Sequence, residues 1–343
     1  MPATDPVSQA IQHLAERRAL TAALAEEAFA QLMRGEASSI QMAAMLAALR
    51  AKGETPEEVV GAVRALRGAM ITVKVPDGTP VVDTCGTGGG TVRTFNISTA
   101  AAFVAAGAGA RVAKHGNRSF TTQSGSADVL EALGVALQHD GDAAAGLLER
   151  CGMTFLFAPT FHPAMRHVGP VRRELGITTI MNLLGPLANP ARVERQVVGV
   201  ADAERAALIA AALAGLGGEW AMVVHARAGL DEIAPMGPTD VWEVRGRDVR
   251  SWVLDPAKLG VEGGALEDLR GGSPEDNATI TRRVLDGKDR TVRRGAVLLN
   301  AAAALVVSGL AGDWKDALGA AAASVDGGAA RRVLDRMVEE SRR

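Results

Sequence analysis

The chain has 343 residues, 39 of them glycine and none tyrosine, and a formal net charge of −2. This length accommodates a large core and suggests two domains, with a single large α/β unit as the alternative, and a near-neutral charge with no Lys/Arg block excludes the electrostatic footprint of a nucleic-acid-binding protein. Cys85 and Cys151 are too few for a disulfide framework or a Cys-rich zinc site, and the N-terminal stretch has no apolar signal core, so a reduced, cytoplasmic protein is expected.

Residues 1–73 read as helical throughout. Ala25, Phe29, Leu32 and Met33 share one face before Gly35. Ser38 and Gln41 form a capping-box pattern, and Thr55-Pro56-Glu57-Glu58 opens the next helix with Pro at its first position. Short helices joined by short loops pack as antiparallel neighbours, which predicts a small all-helical domain with Met42, Met45 and Met70 in its core or on a dimer surface. Beyond Pro76-Asp77-Gly78, short apolar runs alternate with helices, the pattern of a mostly parallel sheet with crossover connections. Strands are predicted at 81–83, 111–114, 153–157, 196–200, 220–224, 240–244 and 249–253, and helices at 98–108, 126–133, 203–216, 274–285, 294–308 and from 314 onward. The stretch 162–190, rich in Pro, Gly and Arg, breaks the alternation and reads as an insertion that returns to the helical domain across a cleft. The apolar run 295–312 contains Asn300, Ser308 and Gly309 and reads as a buried helix, not a membrane span.

One stretch organises the chemistry. A β-branched run stops at Asp83, the loop Gly86-Thr87-Gly88-Gly89-Gly90 follows, and Thr94, Asn96, Ser98 and Thr99 cluster at the start of a helix. Strand, glycine loop and helix start in this order make an anion site, because free backbone N–H groups and a positive dipole end converge on one spot. The glycines alone are weak evidence in so glycine-rich a chain. Their spacing also excludes the dinucleotide fingerprint, whose third glycine falls on Thr91, and no P-loop sequence is present. Lys114, His115, Asn117 and Arg118 follow a predicted strand end, where ligands of open α/β sheets sit, and Thr121, Thr122, Ser124 and Ser126 add hydroxyls. Asp231 and Glu232, adjacent in a loop, suit Mg²⁺ shared with substrate phosphates. His162, Arg166, His167, Arg172 and Arg173 crowd the insertion; most read as a solvated basic helix, with one Arg free to grip a carboxylate.

Taken together, DTCGTGG, TFNIST, KHGNR, GSADVLEALG, FLFAPTFHPAMRHVGPVRRELG, NLLGPLANPA, GLDEI and LNAAAAL resemble, in order, the motifs of the anthranilate phosphoribosyltransferase family, which has the nucleoside phosphorylase-like phosphoribosyltransferase fold. The resemblance implies an α/β enzyme with a small helical dimerisation domain (1–73 plus about 162–190), a larger α/β domain with a mostly parallel central sheet (74–161 plus 191–343), and a hinged cleft between them. It implies a homodimer that moves the phosphoribosyl group of phosphoribosyl pyrophosphate (PRPP) to the amine of anthranilate with Mg²⁺, in tryptophan biosynthesis.

Carried onto this sequence, Gly86, Gly89, Gly90, Thr94, Asn96, Ile97, Ser98 and Thr99 line the PRPP site. Lys114, His115, Gly116, Asn117, Arg118, Ser119, Phe120, Thr121, Thr122 and Ser126 complete the phosphoribosyl pocket. Ser98, Asp231 and Glu232 hold Mg²⁺. Gly86, Asn117 and Arg172 contact anthranilate, and His115 and His162 lie along its approach. The chain departs from the family pattern in three places: Gly90 stands where the glycine loop commonly ends in Asp, Thr178 and Met181 where Arg and Phe are usual, and Thr121 and Thr122 where a Ser pair is usual. A pyrimidine nucleoside phosphorylase of the same fold, which needs no acidic metal pair, and a non-catalytic nucleic-acid-binding relative are the competing readings.

Overall fold

Four helices open the chain, and each begins where a short polar side chain accepts an N–H of the first turn that has no partner within the helix. Asp5 starts α1 (Pro6–Ala15), Thr21 starts α2 (Ala22–Arg34), Ser38 starts α3 (Ser39–Lys52) and Thr55 starts α4 (Pro56–Gly68), the last two as the full capping boxes the sequence predicts. Packing is close because the contact residues are small: a Cβ on Gly61 of α4 would sit 2.4 Å from the Ala22 carbonyl oxygen of α2. The computed structural model describes residues 5–75, 78, 80–88, 93–119 and 124–343.

The alternating part follows as β1 (Val81–Gly86), α5 (Ile97–Gly107), β2 (Arg111–Gly116), α6 (Ser126–Leu133), α7 (Gly141–Cys151), β3 (Met153–Phe157), α8 (Ala158–Phe161), α9 (Met165–Leu175), α10 (Met181–Leu187), β4 (Arg195–Gly199), α11 (Ala203–Leu216), β5 (Trp220–Ala226), β6 (Thr239–Arg245) and β7 (Asp248–Leu254), and the chain ends in α12 (Pro274–Leu285), α13 (Val292–Ser308), α14 (Trp314–Asp326) and α15 (Ala329–Glu340). Several features differ from the sequence reading: α7, started by Asp140, is an added helix, β1 and β2 run on to Gly86 and Gly116, and the stretch after Trp314 is two helices.

All seven strands form one sheet in the order β3-β2-β1-β4-β5-β6-β7. The pairs from β3 to β5 are parallel, and β6 and β7 continue as antiparallel hairpins. Side chains alternate between two cores as the strand period requires. Val197, Met222 and Val224 face the α5 and α13 side, whereas Val198, Ala221 and Val223 face α11 and share one apolar cluster with the N-terminal helices. The insertion divides its contacts, α9 packing on α2 and α3, and α10 on α4 and β2. Chain order reverses at β1, which has β2 on one side and β4 on the other. Outside the carboxyl ends of β1 and β4 there is consequently a crevice, the usual ligand position in an open α/β sheet.

Candidate active site

That crevice is a cavity of about 580 Å³ lined by the ends of β1, β2 and β4 and the loops that follow them. Glycine lets the loop after β5 reach it. A Cβ on Gly199 would lie 1.5 Å from the Asp231 carbonyl oxygen, and one on Gly86 would lie 2.7 Å from Asp231 Oδ2. The loop is pinned from behind by Asn300 of α13, whose side chain accepts from the Ile233 N–H (3.1 Å) and donates to the Ile233 carbonyl (2.9 Å). Asn300 is a polar residue in the apolar part of α13, and it falls in the LNAAAAL motif of the sequence.

Asp231 and Glu232 thereby arrive side by side, each partly buried. Gly88 N–H donates to Asp231 Oδ2 (2.9 Å) and the Thr94 hydroxyl reaches Glu232 Oε1 (3.5 Å), but Glu232 Oε2 is buried without a partner. Burial raises the pKa of both carboxyls, and Asp231 pushes Glu232 further up. Lys114, also buried, donates from Nζ to the Thr84 carbonyl and to Ser98 Oγ (3.3 Å), so its ammonium lies beneath the cradle and holds the Ser98 hydroxyl. Burial lowers the Lys114 pKa, while Asp83, Cys85, Glu232 and Asp231 oppose that shift. Two carboxylates, one of them with an orphaned buried oxygen, and one hydroxyl make an all-oxygen donor set of the kind a hard divalent cation takes, and Mg²⁺ fits it.

The helix start is only partly at the cavity. Asn96 and Ser98 line it, whereas Ile97 and Thr99 point into the core. Asn96 joins three elements, donating to the Ser124 carbonyl (3.2 Å) and accepting from Asn277 Nδ2 of α12 (2.9 Å). From the other side, His115, Gly116, Asn117, Arg118, Ser119 and Ser126 line the cavity as expected. Gly116 is needed there because a Cβ would meet the Phe155 ring at 2.8 Å.

A family model described as glycosyl transferase family, a/b domain, matches residues 78–331, and one described as the helical bundle domain matches 8–70. Anthranilate phosphoribosyltransferase of Chloroflexus aggregans is 49% identical over 337 residues, 98% of this chain and 98% of that protein. The chain belongs to the anthranilate phosphoribosyltransferase family. The crystal structure of the Thermus thermophilus enzyme superimposes with a TM-score of 0.92 at 41% identity, covering 99% of this chain and 100% of that one. The Saccharomyces cerevisiae enzyme in complex with PRPP and Mg superimposes with a TM-score of 0.91 at 28% identity, covering 99% of each chain.

Against the family pattern, the remaining residues fall into three groups. His115 and His162 meet at the β2 end, Nε2 to Nε2 at 3.2 Å, and His115 Nδ1 lies 3.0 Å from the Gly185 carbonyl. A carbonyl oxygen only accepts, so His115 carries its proton on Nδ1 and takes the Nε2–H of His162. Burial holds both rings neutral, pushing His115 down to about 3 and His162 to about 4. Arg172, on α9, is half-buried and lies outside the cavity lining, while the Arg118 guanidinium is engaged by Asp128 and Glu131 of α6. Gly89, Gly90, Phe120, Thr121 and Thr122 lie outside the described residues. The lining also includes Arg50 of α3, Arg93 and Arg205 of α11, which no local pattern marks because each reaches the cavity only through tertiary packing. Thr178, a departure from the family pattern, and Asn182 and Leu183 of the NLLGPLANPA motif line it as well.

Proposed function

We propose that this chain transfers the 5-phosphoribosyl group of PRPP to the amine of anthranilate, giving N-(5-phosphoribosyl)anthranilate and pyrophosphate in tryptophan biosynthesis. The observation that carries this reading is the pair Asp231 and Glu232, with an unpartnered Glu232 oxygen and Ser98 beside it, at the switch point of a chain 49% identical to an anthranilate phosphoribosyltransferase over nearly its whole length. Asp231, Glu232 and Ser98 hold Mg²⁺, which when bound supplies Lewis-acid neutralisation of the departing pyrophosphate.

The protein's own groups divide the rest of the work. The N-terminal turn of α5 turns its positive dipole end toward the phosphates, while the N–H groups of Thr87 and Gly88 hold the Gly199 carbonyl and Asp231 Oδ2 and so fix the loop beside them. Lys114 keeps the Ser98 hydroxyl oriented and adds positive charge beneath it. As pyrophosphate leaves, the ribose takes on oxocarbenium character, and the neutral rings of His115 and His162 put no repelling cation near it. The amine of anthranilate is weakly basic and needs placement more than deprotonation. Asn117 and Arg172 supply that placement, Arg172 by pairing with the carboxylate once the helical domain (1–73 and about 162–190) closes on the α/β domain (74–161 and 191–343) and excludes water.

We place the enzyme in the cytoplasm as a homodimer joined through its helical domain. Cys85 and Cys151 are buried free thiols, and among the described residues no helix is long and apolar enough to cross a membrane. Loss of anthranilate fluorescence with PRPP and Mg²⁺, abolished by chelation and restored by added Mg²⁺, tests the reaction. No loss with the intact protein rejects it.

A further inference from the structure

Asp83 lies within β1, wholly buried, at a strand position otherwise suited to an apolar side chain. Both carboxylate oxygens are in use. Oδ1 accepts the His115 N–H of β2 (3.2 Å), and Oδ2 accepts from Asn189 Nδ2 (2.8 Å) in the turn after α10. Asn189 has further partners, since the same Nδ2 donates to the Ala113 carbonyl (2.8 Å) and Oδ1 accepts the Ala191 N–H (2.8 Å). Two more ties run between the sheet and α10, from the His115 ring to the Gly185 carbonyl and from Gln196 Nε2 to the Pro186 carbonyl (2.8 Å). Asn182 and Leu183, which line the cavity, lie on the same short helix.

A buried carboxylate is costly unless its charge is met, and an apolar residue of similar size commonly serves stability as well or better. Its partners here all lead to one wall of the cavity. We propose that Asp83 is a positioning residue for the acceptor half of the site: acting through His115 and Asn189, it sets the wall formed by the end of β2 and by α10 against the ribose, without touching substrate. Burial raises the Asp83 pKa to about 6, and Lys114, Asn189 and the His115 N–H are the groups that favour its ionised form. The carboxyls and the hydroxyl assigned to Mg²⁺ stand on other segments, the β5 loop and the start of α5, and meet Asp83 only through the charge of Lys114, so the hydrogen bonds of Asp83 act chiefly on the acceptor wall.

The inference rests on the transferase reading, and wild-type turnover tests that reading separately. Steady-state kinetics on the full-length wild type, D83N, N189A and the reciprocal exchange D83N/N189D test the proposal. Expected are an anthranilate KM raised about tenfold in D83N, a PRPP KM within about twofold of wild type, and recovery of at least a third of the loss in the exchange variant. A readout free of turnover is the ¹⁵N imidazole signal of His115, which is expected to leave the pure Nδ1–H tautomer in D83N. Equal rises in both KM values, or unchanged KM values with unchanged His115 signals, overturn the proposal. If D83N does not fold, N189A, which keeps the carboxylate, is held to the same expectations.

Discussion

Two acidic centres lie close to the same cavity and are finished in opposite ways. Asp83, fully buried, has a donor on each oxygen. Glu232, partly buried as a residue, keeps its buried Oε2 without a partner. A carboxylate with both oxygens hydrogen-bonded is complete as folded and belongs to the framework. One with an orphaned oxygen is complete only when something positive arrives, and it belongs to the chemistry. Asp128 supplies a third, milder case, a partly exposed carboxylate in a network with the Arg118 guanidinium, which also pairs with Glu131.

The sharpest way to break this contrast is E232Q, which keeps the shape and removes the charge. Turnover with PRPP and Mg²⁺ is expected to fall ~10²–10³-fold, the loss of several kcal/mol of metal-borne charge stabilisation. The apo protein is expected to be no less stable in thermal unfolding, because the variant removes a buried carboxyl whose second oxygen lacks a partner. A large loss of apo stability, or retained Mg²⁺-dependent turnover, would remove Glu232 from the metal site.

An intermediate effect is expected at the histidine pair that Asp83 anchors. The folded-state pKa values of His115 and His162 lie near 3 and 4, below the ordinary 6.5. Between about pH 6.5 and 4 the unfolded chain therefore binds protons that the folded chain does not, and stability falls as pH falls. Replacing His162 with Asn removes its share. Relative to H162N, the wild type should lose roughly 1.4 kcal/mol per pH unit on acidification through that window, measured by denaturant unfolding at several pH values. Parallel curves for the two proteins would show that His162 is not held neutral by burial.

The smallest effect is expected at the exposed network. Arg118→Ala should change stability by no more than about 1 kcal/mol, since Arg118 and Glu131 are both close to half exposed and solvent screens them. A rise in the PRPP KM of R118A above about fivefold would mean that the guanidinium leaves Glu131 for a phosphate, and would move Arg118 from the framework to the site.

What could be read in advance was local. The caps Ser38 and Thr55 act on N–H groups three residues away, so the helix starts were visible in the order of residues. The glycine loop, KHGNR and the Asp231-Glu232 pair were visible for the same reason, each being a short run whose chemistry is carried by neighbours in sequence. Arg118 lies beyond that local range. Its charge and its place after a strand suggested phosphate, and its actual partners, one of them Glu131, lie 10 and 13 residues further on, on a helix whose orientation the sequence did not reveal.

By itself, then, the sequence determined the element types, the two-part architecture with a mostly parallel sheet, and the candidate anion and metal ligands, because backbone propensity, side-chain period and capping operate over a few residues. Only the tertiary structure decided that β1 and β4 form the switch point, that Gly199 lets Asp231 lie against the sheet, that Arg172 stands back from the cavity lining, and that Asp83 and Asn189 meet across 106 residues. Those outcomes depend on strand order and on close approach between distant segments. Both are settled by packing two sheet faces at once, and no short stretch of sequence encodes them.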